Sequence, residues 1–369
     1  MADIVITERK DIDFYSRINM AAVDENGTAL SKGVFKLVNS SYGQGTVKTL
    51  LAGGIGTPVH YRRGGNVRKM FDVAHRMAID EGASVALLHP FSFAYYRNFG
   101  YEKVSDHLIV RFPTRLIDFV PRRCNFVPYD ETKLADMISI YEKFAHGRNL
   151  LLQRFDDRRY VREGEMSYIC YDGGEPVAYI VYSTYKRMIV NHMGDSLLTV
   201  HELAYTSPDA LREIFSFLRM FEGEYDEIEF ANCAMCPEVD ILLRHYTHTA
   251  YTLVPDIMAR VLDTEKMLSA NAYPSKEGAF TVKIGDDMPS VAGAYRVEYG
   301  GGENRVKVLD SVASADITLS AGAFARLIYG YDGVSEAEAK YMDGVQLDGD
   351  AEAFFSAFPK RPCGIFEHF

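Results

Sequence analysis

The 369-residue sequence lacks any uncharged apolar run of about 18 residues, the length that a membrane-spanning helix needs. Its start, Met-Ala-Asp-Ile-Val-Ile-Thr-Glu, also lacks the basic segment followed by an apolar one that marks a secretory leader. We therefore expect no membrane span and a cytoplasmic location. The length predicts two or three domains with substantial cores.

An excess of positive charge is also missing. The sequence has 40 Lys and Arg residues against 51 Asp and Glu residues, a formal net charge of -11. Because a nucleic-acid partner would require a basic face, we expect none. The acidic balance weakly favours cationic ligands, and it is also simply what keeps many cytosolic proteins in solution.

Cysteines are few, and their number is odd, so no disulfide framework is expected. The five are Cys124, Cys170, Cys233, Cys236 and Cys363. Only Cys233 and Cys236 are close in sequence; His245 and His248 follow, but their spacing is too tight for a zinc finger and no second cysteine pair exists. We interpret the cysteines as structural thiols and expect no metal, with a metal site as the alternative. None has a positioned histidine, so no covalent acyl-enzyme is indicated.

A strand, a glycine-rich basic loop and an amphipathic helix follow one another between Gly53 and Tyr101. Residues 47–55 are apolar and interrupted by glycines, which predicts a buried strand that Thr57-Pro58 ends. From Asn66 onward the apolar residues recur with helical spacing. They are Val67, Met70, Phe71, Ala74, Met77 and Ala78, and Gly82 suits the end of this helix.

The pair Gly64-Gly65 therefore lies at the N-terminus of a helix, where backbone N–H groups lack partners and the helix dipole favours an anion. Glycines let a diphosphate approach the backbone, and Arg62, Arg63 and Arg68 add positive charge. A P-loop nucleotide site is a poorer interpretation because no Gly-Lys-Ser/Thr follows. A plain surface turn is the alternative.

After this helix, Ser84–His89 predicts a short buried strand that Pro90 ends. Ser92 can cap a short helix that carries Tyr95 and Tyr96 and stops before Gly100.

These residues resemble a known family. Arg-x-x-Gly-x-Val at Arg62, Gly65 and Val67 resembles the acetyl-CoA pyrophosphate loop of GCN5-related N-acetyltransferases (GNAT). The longer phrase, with Pro90-Phe91-Ser92 and residues 96–101, resembles the enhanced intracellular survival (Eis) acetyltransferases. The resemblance implies acetyl-CoA as co-substrate. It places the pyrophosphate at Arg62, Arg63, Gly64, Gly65, Asn66, Val67 and Arg68, the pantetheine arm at the backbone of Ile55, Gly56 and Thr57, and a third contact at Phe91 and Ser92.

The resemblance also implies two catalytic groups. In Eis enzymes the free α-carboxylate of the last residue, here Phe369, is the general base, and the tyrosine that matches Tyr96 is the general acid. The amine must attack as a neutral nitrogen, and a phenol with a pKa near 10 is protonated at pH 7 and can protonate the leaving thiolate. The alternatives are a core aromatic at Tyr96 and a docked or frayed tail at Phe369. Tyr95 and Tyr101 are expected to be packing residues, and His60 and His89 surface or supporting ones.

The resemblance covers nearly the whole sequence and predicts an α/β and α+β fold in three parts. A GNAT domain that binds acetyl-CoA spans 1–115, and a second GNAT-like domain spans 116–268. The second lacks a cofactor loop, since Ser207-Pro208 has no glycine and Pro removes a donor. Short strands followed by helices in 269–369 resemble a sterol-carrier-protein-like domain.

One departure from the family concerns the N-terminus. The family places two helices before the cofactor strand, but only about fifty residues precede Gly53. We expect at most a shortened helix at Asp11–Met20 and an open acceptor pocket. The resemblance implies an amine acceptor of aminoglycoside, polyamine or lysine type and a homohexamer. The alternative is a non-catalytic scaffold or apolar-ligand carrier.

Overall fold

The structure is a computed structural model that describes residues 2–12, 15–118, 121–154, 160–186, 196–243, 246–310 and 314–369. His245, considered above as a metal ligand, lies outside these residues.

The elements of the first third of the chain are β1 (Asp3–Ile12), β2 (Tyr15–Val23), β3 (Ala29–Tyr42), β4 (Gly45–Gly56), α1 (Asn66–Asp80), β5 (Val85–Leu88), α2 (Phe93–Arg97), β6 (Glu102–Lys103) and β7 (Asp106–Pro113). The middle third contains β8 (Asn125–Pro128), α3 (Leu134–Ala145), β9 (Met166–Asp172), β10 (Glu175–Lys186), β11 (Ser196–Tyr205), α4 (Pro208–Arg219), β12 (Glu227–Phe230), α5 (Glu238–Leu242), β13 (Ala250–Pro255), β14 (Met258–Val261) and α6 (Thr264–Ala270). The last third contains β15 (Gly278–Gly285), β16 (Gly293–Gly300), β17 (Glu303–Leu309), β18 (Ile317–Ser320), α7 (Ala321–Tyr329), α8 (Glu336–Ala339), β19 (Val345–Leu347) and α9 (Glu352–Ala357). Short 3-10 turns lie at Val59–Tyr61, Thr114–Leu116 and Glu131–Lys133.

Three sheets organise these elements. The first has the order β1-β2-β3-β4-β5-β14-β6, the second β13-β7-β12-β11-β10-β9-β8, and the third β17-β16-β15-β18-β19. In the first sheet the parallel pair β4 and β5 is joined by α1, and in the second the parallel pair β11 and β12 is joined by α4. The same strand, helix, strand unit therefore occurs twice, in agreement with the second GNAT-like domain that the resemblance implies.

The first two sheets exchange a strand. β7 lies early in the chain but pairs with β12 and β13 of the second sheet, whereas β14 follows that sheet in the chain and pairs with β5 of the first. The predicted segments 1–115 and 116–268 differ from this arrangement by these two strands. The exchange carries the chain from β13 to β14 past the end of β5, and this crossing contributes to the site described below.

The predicted short helix at Asp11–Met20 is wrong. In the described residues before β4 the chain forms three antiparallel strands, and β2 pairs with β3 from Ser16↔Leu37 to Val23↔Ala29. The reason is a period of two that was overlooked: Ile18, Met20 and Ala22 are all buried on the core face of β2.

The last third has an α+β architecture. The parallel pair β15 and β18 lies at the centre of its sheet, and the core contains the fully buried rings of Phe280, Phe324 and Phe354. Its likeness to a sterol-carrier-protein-like domain stays a prediction.

Candidate active site

The first sheet opens where β5 ends. β4 pairs with β5 from Thr49↔Val85 to Ala52↔Leu88, and β4 then continues to Gly56 after β5 has stopped. On its other side β4 stays paired with β3 as far as Gly56. One backbone edge of residues 53–56 therefore faces the gap between the diverging strands. This edge includes Ile55 and Gly56 of the predicted pantetheine contact.

The helix after this gap begins without a cap of its own. Its N-cap is Gly65 at φ 76°, a left-handed conformation that glycine adopts without strain, and no side chain accepts a hydrogen bond from the first turn. The first turn also contains no acidic residue. The unpaired N–H groups and the positive end of the helix dipole are thus left for an external anion.

Arginines surround this helix N-terminus. Arg62, Arg63 and Arg68 are all exposed. Arg62 donates through Nε to the Thr57 carbonyl over 3.3 Å, and Arg68 donates through Nη1 to the Asn98 carbonyl over 3.2 Å. The Arg68 guanidinium also lies 4.7 Å from the centre of the Phe99 ring, which ties α1 to the end of α2. The predicted loop thus combines a glycine backbone with arginine side chains around the N-terminus of α1.

Helix α2 carries Tyr96 on its buried face. The Ser92 side chain accepts a hydrogen bond from Tyr95 N over 3.3 Å and so starts the helix as predicted. Tyr96 is only 4% exposed and packs against the exposed Phe91 ring, with centroids 5.4 Å apart. Burial, with a smaller contribution from Tyr95, raises the pKa of Tyr96 to about 12. The phenol is therefore firmly protonated at neutral pH.

The C-terminal tail returns to the first sheet at β4. The tail enters beside Asn149, whose N–H donates to the Pro362 carbonyl over 2.9 Å and whose carbonyl accepts from Gly364 N over 3.2 Å. Its last residue lies directly over β4. A Cβ atom at Gly53 would be 2.5 Å from both the carbonyl carbon and an oxygen of Phe369, so only glycine leaves room for the α-carboxyl group.

His89 holds this end from the other side of the gap. It follows β5 directly, and its ring lies 4.8 Å from the Phe369 ring and 5.1 Å from the His368 ring. Its Nδ1 is 2.9 Å from Asp256 Oδ1, and its Nε2 is 3.2 Å from the Glu367 carbonyl oxygen. His60 instead lies on the surface, with its ring 4.0 Å from that of Tyr61.

Arg154, in the segment between α3 and β9, is a buried anchor for the tail, and Glu202 on β11 of the second sheet holds it. Arg154 donates through Nε to Glu367 over 2.7 Å and through Nη2 to Glu202 over 2.8 Å. Burial alone would lower the pKa of Arg154, but the two carboxylates more than offset this and raise that pKa well above its ordinary value. The guanidinium also lies 4.2 Å from the centre of the Tyr141 ring and 4.6 Å from that of Tyr160. Arg154 is therefore a fixed positive charge that orients Glu367.

A cavity of about 330 Å³ adjoins the tail between the first two sheets. Its charged lining consists of four carboxylates, Glu165, Glu202, Asp256 and Glu367, and two guanidinium groups, Arg154 and Arg162. The cavity also contacts His89, His107, His201 and His368. Because carboxylates outnumber cations, it suits a positively charged ligand.

The sequence interpretation missed part of this site. His89 was expected to be a surface or supporting residue, and Asp256, Arg154 and Glu367 were not considered. No local signal marks Asp256 or Arg154, because the strand exchange and the fold of the second sheet bring them to the tail. For Glu367, its position two residues before the end was a usable clue.

No group of three or more histidine, cysteine, aspartate or glutamate residues in the described ranges could hold a metal ion. Among these same residues, no helix has the length and apolar composition that a membrane crossing requires.

Comparisons with known proteins agree with this architecture. Residues 7–104 match one family model of the acetyltransferase (GNAT) domain, and residues 148–261 match a second, different model with that description. The chain carries two GNAT acetyltransferase domains in tandem. These domains make it an acyltransferase. No curated protein sequence matches the chain.

Solved structures resemble this tandem GNAT protein over nearly its full length. A GCN5-related N-acetyltransferase from Anabaena variabilis is 16% identical with a TM-score of 0.82, over 95% of this chain and 89% of that one. Eis1 from Mycobacterium abscessus is 16% identical with a TM-score of 0.78, over 100% of both chains. A conserved protein of unknown function from Enterococcus faecalis, described as a probable N-acyltransferase, is 15% identical with a TM-score of 0.77, over 96% of this chain and 89% of that one. At these identities the likeness shows a shared fold.

Proposed function

We propose that the protein transfers the acetyl group of acetyl-CoA directly to an amine, with Tyr96 as general acid and the α-carboxylate of Phe369 as general base. The observation that carries this proposal is the position of the Phe369 carboxyl group over Gly53, on the strand whose free edge leads to the uncapped N-terminus of α1. GNAT domains in general use acetyl-CoA as co-substrate, and the residues present fit it.

The cofactor would lie along β4 and end at α1. The diphosphate fits the N–H groups at Gly64, Gly65 and Asn66, with Arg62, Arg63, Val67 and Arg68 around it. The free edge at Ile55, Gly56 and Thr57 suits the amide groups of the pantetheine arm, and Phe91 and Ser92 lie beside Tyr96 at the acetyl end. Acetyl-CoA supplies the thioester that the amine attacks.

The two catalytic groups have complementary tasks. The α-carboxylate accepts a proton from the attacking amine, and the orientation by His89 and Glu367 compensates for its weakness as a base in water. Tyr96 retains its proton at neutral pH because burial raises its pKa to about 12, and it donates this proton as negative charge develops on the leaving sulfur. Because a thiol has an ordinary pKa of about 8.5, this transfer is uphill. One C–N bond forms between the amine and the acetyl carbon as the C–S bond of the thioester breaks, the thiol of CoA leaves, and no acyl-enzyme is required.

The cavity beside the tail supports the proposed class of acceptor. Its excess of carboxylates favours a ligand with further ammonium groups, of aminoglycoside, polyamine or lysine type. The open N-terminal side that the family comparison suggested, the homohexamer, the cytoplasmic location and the sterol-carrier-protein-like domain stay predictions from the sequence.

The test is release of free thiol from acetyl-CoA in the presence of spermidine, kanamycin or a lysine peptide. Tyr96→Phe and a chain extended by Gly-Ser beyond Phe369 should each lower kcat by about 100-fold or more, because each removes one proton-transfer group. Acetyl-CoA affinity should hardly change. Tyr95→Phe is the matched control: its phenol is adjacent but half-buried on another helix face, and its kcat should stay within about twofold of wild type.

Equal rates for wild type, Tyr96→Phe and the extended chain would refute this mechanism. An inactive wild type that binds no acetyl-CoA would instead support the non-catalytic alternative, for which no feature of the described residues gives specific evidence.

A further inference from the structure

The hydrogen bonds of His89 restrict its protonation state. One ring nitrogen faces the carboxylate of Asp256 at 2.9 Å, and the other faces the backbone carbonyl of Glu367 at 3.2 Å. An ionised carboxylate and a carbonyl oxygen can only accept hydrogen bonds. Both bonds can therefore form together only when His89 carries a proton on each nitrogen, as an imidazolium.

Asp256 reaches His89 through the strand exchange. β14 pairs with β5 at Met258↔Leu88, so Asp256, two residues before Met258, comes alongside His89, one residue after Leu88. The Asp256 side chain is 14% exposed and the His89 side chain 21% exposed, so water competes little for this pair.

We infer that His89 and Asp256 form a proton-dependent clamp that docks the C-terminal tail and so positions the Phe369 α-carboxylate. The clamp closes in one form of the ring: the imidazolium binds Asp256 and Glu367 together, and the neutral ring must give up one of them. The catalytic consequence rests on the proposed function, whereas the docking of the tail can be measured without it.

Several titratable groups surround the His89 ring. The groups around the ring are Asp256, with His107 Nδ1 at 4.0 Å from its other oxygen, then His368, and the α-carboxylate of Phe369 over Gly53. Burial lowers the pKa of His368, and His89, Arg162 and His107 lower it further against the opposing effect of Asp256. His89 therefore faces the Asp256 carboxylate on the side away from the Glu367 carbonyl, whereas burial disfavours a charge on His368.

The experiment measures how fast a carboxypeptidase that accepts C-terminal phenylalanine releases Phe369 from the full chain. The rate is followed by mass spectrometry and divided by the rate for the free peptide Gly-Ile-Phe-Glu-His-Phe at the same pH. His89→Phe keeps an aromatic ring against Phe369 and removes both donors. Asp256→Asn keeps the shape and removes the charge. His107→Gln changes a ring that lies 4.0 Å from the other oxygen of Asp256 and, among the described residues, forms no hydrogen bond with the tail.

Release should be about tenfold faster for His89→Phe and Asp256→Asn than for wild type, and within about twofold for His107→Gln, because only the first two lose a charge-assisted hydrogen bond of the clamp. In wild type, release should accelerate as the pH rises through the range in which histidine loses its proton.

Release from both variants within about twofold of wild type, or a wild-type rate that does not change with pH, would overturn the clamp. Asp256→Asn decides the matter if His89→Phe does not fold. A wild type with pH-dependent protection but no thiol release from acetyl-CoA would keep the clamp and remove the proposed function. An enzyme that is active although its tail is unprotected would keep the proposed function and remove the clamp.

Discussion

The two GNAT domains contain the same parallel strand pair with a connecting helix, but the two helices begin differently. α1 begins at a left-handed Gly65 with no side-chain cap and no acid in its first turn. α4 begins at Ser207, whose side chain accepts from Ala210 N, and continues with Pro208 and Asp209. The second helix thus satisfies its own N-terminus with a hydroxyl, a missing donor and a negative charge. Only the first leaves this site to an external anion.

The gaps between the diverging strands differ in the same way. In the second sheet the parallel pairing of β11 with β12 ends at Val200↔Phe230. Just beyond it, Glu202 holds Arg154, and Asn232 lies 3.5 Å from the Ile365 carbonyl of the tail. The second domain therefore uses its gap to bind the protein's own C-terminal segment. The second domain thus holds the segment whose last carboxyl group lies over Gly53 of the first domain.

The largest expected effect comes from closing the first gap to the tail. Gly53→Ala puts a Cβ atom within 2.5 Å of the Phe369 carboxyl group and should lower kcat by about 100-fold by displacing the base. Gly45→Ala on the same strand is the control, because its Cβ would meet nothing within 4 Å. Steady-state thiol release measures both. A Gly53→Ala enzyme with normal kcat would show that the carboxylate is not needed at this position.

A smaller effect is expected from giving α1 an acid in its first turn, as α4 has. Arg68→Asp should weaken acetyl-CoA binding about 30-fold or more, since it replaces a cation near the proposed diphosphate position by an anion. An acid in this turn suits the helix dipole, so the helix itself should not be destabilised. Arg76→Asp makes the same charge change on an exposed residue two turns further along α1 and should change affinity about threefold at most. Calorimetric titration with acetyl-CoA gives both values. Equal losses would mean that only overall charge matters.

The difference between the two helix starts was predictable from sequence because it is local. Gly64-Gly65 against Ser207-Pro208 determines which N–H groups are free, and α1 begins at Asn66 as predicted. The roles of Asp256 and Arg154 were not predictable in this way. They depend on a strand exchange and on the contact of Arg154 with Glu367, two residues that lie 213 positions apart in the chain. A single sequence has no periodicity that records such pairings.

A further test separates backbone conformation from anion binding. Gly65 and Gly82 flank α1 with φ of 76° and 87°, and a Cβ at either would meet nothing within 4 Å. Gly65→Ala and Gly82→Ala should therefore each cost about 1 kcal/mol of unfolding free energy from the left-handed conformation alone. Only Gly65→Ala should also weaken acetyl-CoA binding, by about fivefold, because the N–H groups of the loop would reorient. Chemical denaturation and calorimetric titration distinguish the two effects. The same loss of affinity in Gly82→Ala would show that helix stability alone controls binding.

The smallest expected effect is at the start of α4. Ser207→Ala removes the hydroxyl that accepts from Ala210 N over 3.1 Å and should lower the free energy of unfolding by about 1 kcal/mol. Acetyl-CoA affinity and kcat should stay at wild-type values, because this N-terminus binds only its own cap. Ser207→Asp keeps a side-chain acceptor at the cap and should restore the stability. Suppose that Ser207→Ala loses acetyl-CoA affinity and that Ser207→Asp restores the stability but not the affinity. This result would mean that the second helix also contacts the cofactor. The N-termini of α1 and α4 would then not differ in whether they bind an external anion.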